Sequence, residues 1–351
     1  MHVEVTQLHA FCLDHLLRSG VDRTDAELMT DVLITTDTWG VFTHGIKSLG
    51  NYLKRLEGGG LQKKGNPVVT AEGPAWAQID GGSSLGMTTS TVAMDKAVEK
   101  ARETGIGFVG VRNSCHFGAA GYYAVRAAKQ GLIGICMAND IPGVAAPDSK
   151  GAVLGTNPFA YAIPTGDEQP IFLDIATSAA AGGKVIVAAF RGDPIPEEWA
   201  QDPDGLPTTD PHFYPLTGAL QAMAQHKGYG IALMIEILSA TLTGAAMTHQ
   251  VVSWSQDDPS LPTGHGAAFI AIDVASMMDP GQFRARLDAL RTEIRAAPAK
   301  EALKEVRLPG DREWKHRENA LKHGITLPDH VAASVRSLAE ERNLPLGDYF
   351  G

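Results

Sequence analysis

Cysteine is scarce. Cys12, Cys115 and Cys136 are the only three in 351 residues, and no two form a C-x-x-C pair. A sparse, odd count argues against a disulfide scaffold and fits a reduced, cytoplasmic protein. Positive charge is also short: 30 Lys and Arg stand against 40 Asp and Glu, a net charge of -10. That balance disfavours nucleic acid and anionic membranes as partners, because both are bound through excess cations. A small anionic substrate stays open, since a local cationic pocket can oppose the global field. Long apolar runs are missing as well. The longest, Gly230 to Met247, is interrupted by Glu236 and reads as a buried helix, too mixed to span a membrane. The first residues, M-H-V-E-V-T-Q, have neither the basic nor the apolar region of a secretory signal. H-E-x-x-H, zinc-spaced Cys/His clusters, G-x-S-x-G and the P-loop are all absent, so no metal is expected and serine hydrolysis lacks its residues.

Hydrophobic residues make up 44% and charged residues 20% of the chain, enough apolar surface for a sizeable core. Residues 5–58 read as three helices. Thr6 caps the first, Asp22 or Thr24 the second, and the third runs from near Thr43 to the Gly58-Gly59-Gly60 stop. From Ala75 the pattern alternates between strands (Ala75 to Asp80, Ile106 to Arg112, Leu132 to Ala138, Gly266 to Val274) and helices (Met87 to Thr104, Gly118 to Gln130, Gly228 to Gly244, Pro280 to Ala296). Pro194 to Pro215 and Leu308 to Arg312 read as polar loops, and Asp329 to Arg342 as a last helix. On its own this alternation points to α/β with a parallel sheet.

Gly105, Gly107 and Gly110 match G-x-G-x-x-G, but they follow a helix and enter a strand. A dinucleotide fingerprint needs the opposite order, so that helix amides meet the pyrophosphate. Gly110 to Tyr123, G-V-R-N-S-C-H-F-G-A-A-G-Y-Y, sets His116 at a strand-to-helix corner, where an imidazole either exchanges protons near neutrality or simply packs. His44, in T-H-G, is either an exposed ring or a helix cap. Gly155-Thr156-Asn157-Pro158 either binds a ligand or closes an Asx-type turn. Asp174, at a strand end, either holds a ribose or a catalytic ring, or caps a helix. Lys227, in H-K-G-Y-G, either meets a phosphate or carboxylate or is solvated.

Seven segments in order make a larger pattern: T-H-G with Tyr52 downstream, V-R-N-S-C-H-F-G-A-A-G-Y-Y, L-G-T-N-P, L-D-I-A-T-S, G-L-P-T-T-D-P, H-K-G-Y-G and P-G-D. Across about Thr24 to Leu327 the chain resembles the type-2 malate/L-lactate dehydrogenase family, which includes ureidoglycolate, sulfolactate and diketogulonate oxidoreductases and piperideine- and pyrroline-carboxylate reductases. The resemblance implies an α/β fold that is not Rossmann. A cofactor domain with a mostly antiparallel mixed sheet (75–280) would join a helical domain built from 1–74 and the returning C-terminal helices of 281–351. It implies a homodimer with sites near the subunit interface. It also implies NAD- or NADP-dependent hydride transfer between nicotinamide C4 and a small 2-hydroxy or 2-oxo acid. The alternatives are a cyclic imino-acid reductase and an inactive nucleotide-binding homologue.

Carried over residue by residue, the resemblance makes His116 and His44 the proton-transferring residues. Lys47, Ser48, Tyr52, Thr156 and Asn157 become substrate contacts. Asp140, Asp174, Ile175, Ala176, Thr177, Lys227, Gly228, Gly310 and Asp311 become cofactor contacts. One departure stands out. The family pattern has an arginine four residues after the first histidine, suited to gripping a carboxylate, and this chain has Ser48. Lys47 points about 100° away on a helix, so Lys47, Arg112 and Arg191 are candidate replacements, or the substrate differs.

Overall fold

A computed structural model describes residues 1–166, 169–301 and 305–350. Its centre is a seven-stranded sheet in the order Val68–Gly73, Trp76–Asp80, Ile106–Ser114, His265–Asp273, Leu132–Ala138, Phe159–Ile163, Ile171–Ile175. Every neighbouring pair is antiparallel except Trp76–Asp80 with Ile106–Ser114. The sheet is therefore mixed and mostly antiparallel, and the parallel arrangement suggested by alternation is corrected. Helix–strand alternation cannot reveal where a late strand inserts. Here His265–Asp273 enters the middle, pairing Ala267 with Val111 on one side and with Ala138 on the other.

Helices Gly86–Thr104 and Ala120–Ala128 cover one sheet face through small residues, among them Ala93, Ala97, Ala101, Ala124 and Ala127. The glycine fingerprint is explained by this packing. Gly105 ends the first helix at φ +87°, and a Cβ on Gly107 would lie 2.1 Å from the Ala97 carbonyl oxygen. The glycines let helix and strand touch.

A second core joins Leu8, Phe11, Leu33 and Leu53 of the N-terminal helices to Val331 and Val335 of Asp329–Glu341, so both chain ends fold together. Helix Pro280–Arg295 buries no side chain. The first helix, Val5–Arg18, is capped by Glu4 with Gln7 rather than by Thr6, whereas Asp22 caps the second by accepting from Thr24 N–H. Three stretches differ from the sequence expectation. The 194–215 segment carries short strands Ala200–Gln201 and Pro207–Thr208, Asp311–His323 is a helix, and Gly182–Arg191 is another. The expected buried helix ends at Glu236, continues as a π turn Ile237–Thr241, and exposes Ile231, Met234, Ile237 and Leu242. All three cysteines are buried and unpaired. Among the described residues no helix is long and apolar enough to cross a membrane, and no cluster of His, Cys, Asp or Glu could hold a metal ion.

Arg55, on helix Leu49–Gly58, is 1% exposed. Its guanidinium donates to the carbonyls of Trp254 (2.7 Å), Leu261 (2.7 Å), Ser253 and Asp257 (3.4 Å). Arg55→Met keeps the bulk and removes every donor, leaving the loop carbonyls unsatisfied. It should cost about 3 kcal/mol, the scale of charged hydrogen bonds lost in a buried setting. Denaturant unfolding measures this, and a variant as stable as the parent would show that the 253–261 loop holds itself.

Candidate active site

Two corners meet at the junction of the helical core and the sheet. The first is Thr43-His44-Gly45. Beneath it lies Asp37, 1% exposed, whose Oδ2 accepts the Ile46 N–H at 2.7 Å. A Cβ on Gly45 would lie 1.9 Å from Asp37 Oδ1, so only glycine fits and the His44 backbone is set by this contact. Burial pushes the Asp37 carboxyl well above its usual range, with only the Ile46 bond opposing. The second corner follows strand Ile106–Ser114 and carries His116.

The His116 ring lies between two others. Trp254 stacks on it at 4.1 Å and 11°, and His44 at 5.5 Å and 24°. Tyr52, wholly buried behind it, places its hydroxyl 2.5 Å from His116 Nδ1. Burial first, then the neighbouring His44, lower the His116 pKa to about 3 against the pull of Asp140. Burial and Lys47 also lower His44, again opposed by Asp140.

Asp140 lies 3.2 Å from His265 Nε2 and accepts the Ile141 N–H at 2.8 Å. Burial alone would raise its carboxyl, but the bond and charge of His265, helped by His116, outweigh this and hold it below the usual range. His265 Nδ1 is buried without a hydrogen-bond partner among the described residues. Under this pair, buried Glu236 accepts from Asn157 (3.0 Å), Thr248 N–H (3.0 Å) and Asn139 (3.4 Å). Asn139 is fixed in turn by Ala246 and Gly266. Further along, Asp174 accepts the Gly121 N–H at 2.7 Å. Burial, with the charge of Glu313 added and the Gly121 bond opposing, raises Asp174 to about 6.

These groups surround a cavity of about 460 Å³. Of the residues expected at the site, His44, His116, Asp140, Thr156, Asp174, Ile175, Ala176 and Gly310 line it. Tyr52 stands behind His116, and Asn157 is buried in the Glu236 network. Thr177 bonds the Thr156 carbonyl, while Ser48 donates back to the Thr43 carbonyl at 3.3 Å and closes its own corner. Lys227 is exposed, and Gly228 is pressed onto Met223. Asp311 pairs with Arg295 and the Leu308 amide. Lys47 and Arg191 are absent from the cavity lining, and Arg112 pairs with Asp80. None of the three candidate replacement cations therefore faces the cavity, and no described residue lining it is Lys or Arg. Sequence reasoning missed Asp37, Arg55, Glu236, Trp254 and His265. A charged residue inside an apolar helix was the visible signal for Glu236 alone.

The malate/L-lactate dehydrogenase family model matches residues 3–336. The chain belongs to this family. Malate/(S)-sulfolactate dehydrogenase of Methanothermus fervidus is 37% identical, covering 93% of this chain and 94% of its own length. The structure of sulfolactate dehydrogenase from Methanocaldococcus jannaschii superposes with TM-score 0.91 at 34% identity, over 99% of both chains. That of delta1-piperideine-2-carboxylate reductase from Pseudomonas syringae superposes with TM-score 0.86 at 29% identity, over 97% of this chain and 100% of that one. As a member of the malate/L-lactate dehydrogenase family the chain is an oxidoreductase acting on CH–OH groups.

The folded Asp37 carboxyl titrates above its ordinary value near 3.8, so its contribution to stability is complete below that pH and is lost as pH rises through the raised pKa. Asp37→Asn keeps an oxygen for Ile46 and cannot ionise. Its melting temperature relative to the parent should rise steadily from acid to alkaline pH. A difference that is flat across pH would mean that Asp37 does not carry the proton in the folded state.

Proposed function

We propose that this protein is a nicotinamide-dependent dehydrogenase of a small 2-hydroxy acid, working reversibly on the 2-oxo acid, with His44 and His116 at the reacting C2 oxygen. The observation that carries this reading is the stacked histidine pair opening onto one cavity with Asp140 and Asp174.

The donor set suits a dinucleotide. The first turns of three helices, at Ala119 and Ala120, at Gly182 and Gly183, and at Gly310, border the cavity and offer backbone amides to phosphate oxygens. Asp140 and Asp174 are placed to accept from hydroxyl or amide groups. When bound, the nicotinamide would supply or take the hydride. The protein aligns the partners and handles the proton at the C2 oxygen.

We read the cofactor as NAD. Asp174 and Glu313 both line the cavity, and no described lining residue is a cation that would welcome a 2′-phosphate. Ser48 in place of the expected arginine, with no other guanidinium in the lining, favours a substrate held by hydrogen bonds and by histidine rather than by a bidentate grip. Three buried, unpaired cysteines fit a cytoplasmic setting. The exposed apolar face of Ile231, Met234, Ile237 and Leu242 fits a homodimer.

A panel of malate-, lactate- and sulfolactate-like acids and a cyclic imino acid, each with NAD and NADP forms, tests the reaction. Turnover of a 2-hydroxy acid with kcat/KM at least about tenfold higher for NAD, a difference of one charged contact, is expected. Preference for the imino acid would move the protein to the reductase branch, and preference for NADP would remove the reading of Asp174 and Glu313. His44→Gln and His116→Gln should each lower kcat by about 10²–10⁴ while NADH binding, followed by its fluorescence, changes little. Light scattering should give a dimer mass, and Met234→Glu should shift it toward monomer. A parent protein that is monomeric at micromolar concentration would overturn the interface.

A further inference from the structure

Two histidines face one cavity, and their Nδ1 atoms meet different partners. His116 Nδ1 lies 2.5 Å from the Tyr52 hydroxyl and 3.5 Å from the Gly118 amide. An amide can only donate. Gly118 turns its N–H inward at φ +77°, a conformation that favours glycine. Burial pushes the Tyr52 phenol well above its usual pKa, so it keeps its proton. Tyr52 is 0% exposed, and its hydroxyl has no further hydrogen-bond partner among the described residues.

A ring nitrogen that accepts an amide proton cannot carry one of its own, and the buried Tyr52 hydroxyl has no other acceptor for its proton among the described residues. Tyr52 O–H therefore donates to Nδ1, and the single proton of the neutral ring sits on Nε2. The reverse arrangement would leave the phenolic hydrogen buried without an acceptor, a costly state, and would aim the Gly118 amide at a second donor. An imidazolium at His116 requires that reverse arrangement too. Burial lowers the His116 pKa in the same sense, to about 3.

His44 is under no such constraint. Its Nδ1 lies 2.8 Å from Thr43 Oγ1, and Thr43 is exposed. That hydroxyl can donate when Nδ1 is bare and accept when Nδ1 is protonated, with water taking up the difference. The charged and titratable groups facing His44 are Asp140, Lys47 and His116, and of these Asp140 favours its cation.

Given hydride exchange at a C2–oxygen bond in this cavity, we propose that Tyr52 is a positioning residue that fixes His116 as a neutral Nε2–H donor, and that His44 is the histidine that gains and loses the proton. Reduction leaves an extra electron pair on the C2 oxygen. His116 Nε2–H meets that oxyanion and keeps its proton, as a neutral imidazole electrophile does. Protonated His44 breaks its Nε2–H bond to complete the hydroxyl and is refilled from water. In oxidation the substrate O–H proton passes to His44.

The test uses whole protein labelled with 15N-histidine, without cofactor, with the two ring signals assigned through His44→Gln and His116→Gln. Two-bond proton–nitrogen spectra should show His116 with a bare Nδ1 and a protonated Nε2, unchanged from about pH 8 to about pH 5, the range in which an ordinary histidine titrates. Tyr52→Phe fills the same space and removes the donor. It should give His116 a mixture of tautomers and slow reduction about tenfold, the effect of one lost hydrogen bond, with KM within about twofold. A protonated Nδ1 in the parent protein would overturn the proposal, whatever the variant does. So would an Nε2–H signal that Tyr52→Phe leaves untouched. If only the proposed substrate class is wrong, the spectra stand as described and turnover of the 2-hydroxy acids is missing.

Discussion

A buried guanidinium holds the two halves of this molecule to one site. Arg55 belongs to the helical core, yet its acceptors are backbone carbonyls of the 253–261 loop, which leads into the central strand His265–Asp273. Among the described residues no carboxylate forms an ion pair with it. Several carbonyl dipoles do, and they have the correct spacing only while the loop is folded. The same tie brings Trp254 against His116 and Tyr52. The position of the stacked rings therefore depends on a residue that does not line the cavity.

The cavity separates charge from neutrality along its length. At one end burial lowers the pKa of both histidine rings, and Asp140 opposes it. Burial works against the Asp140 charge, and His265, His116 and the Ile141 amide together outweigh it. Glu236 lies deeper and is shared among three donors, two of them carboxamides on separate turns. This polar layer braces the turn at 139–140 against the turn at 156–157, so the walls are set before anything binds. Such preorganisation makes fixed dipoles effective, because little reorganisation is then needed at the moment of reaction.

Much of this was legible in the chain, and the gaps have physical causes. Strand Leu132–Ala138 and helix Gly86–Thr104 carry clear local patterns and lie where the residues suggest. The order of strands was not readable from alternation, because insertion of His265–Asp273 is a long-range event. The resemblance supplied only the mostly antiparallel character of the sheet. Helix Asp311–His323 is polar almost all round and buries only Ala320, so it has no apolar stripe to read. Gly182–Arg191 opens with two glycines, which mask a helix start. At the site, the motifs exposed both histidines and Asp140. Asp37 and Arg55 stayed hidden because a buried charge looks like any other charge in a sequence. Only contact distances show that Gly45 answers to Asp37 and that Trp254 answers to Arg55.

The three cysteines are divided between the two cores. Cys12 and Cys115 both belong to the helical core, Cys115 where that core reaches His116, and Cys136 belongs to the sheet core. Burial raises all three thiols, Cys12 to about 12 and Cys115 to about 11, so thiolate is scarce and access is closed. Each is a native reporter of local opening: an alkylating reagent modifies it only when its own layer separates. The labelling order under mild denaturant would map which layer opens first, with no engineered probe, and Cys115 would time the opening of the corner that carries His116.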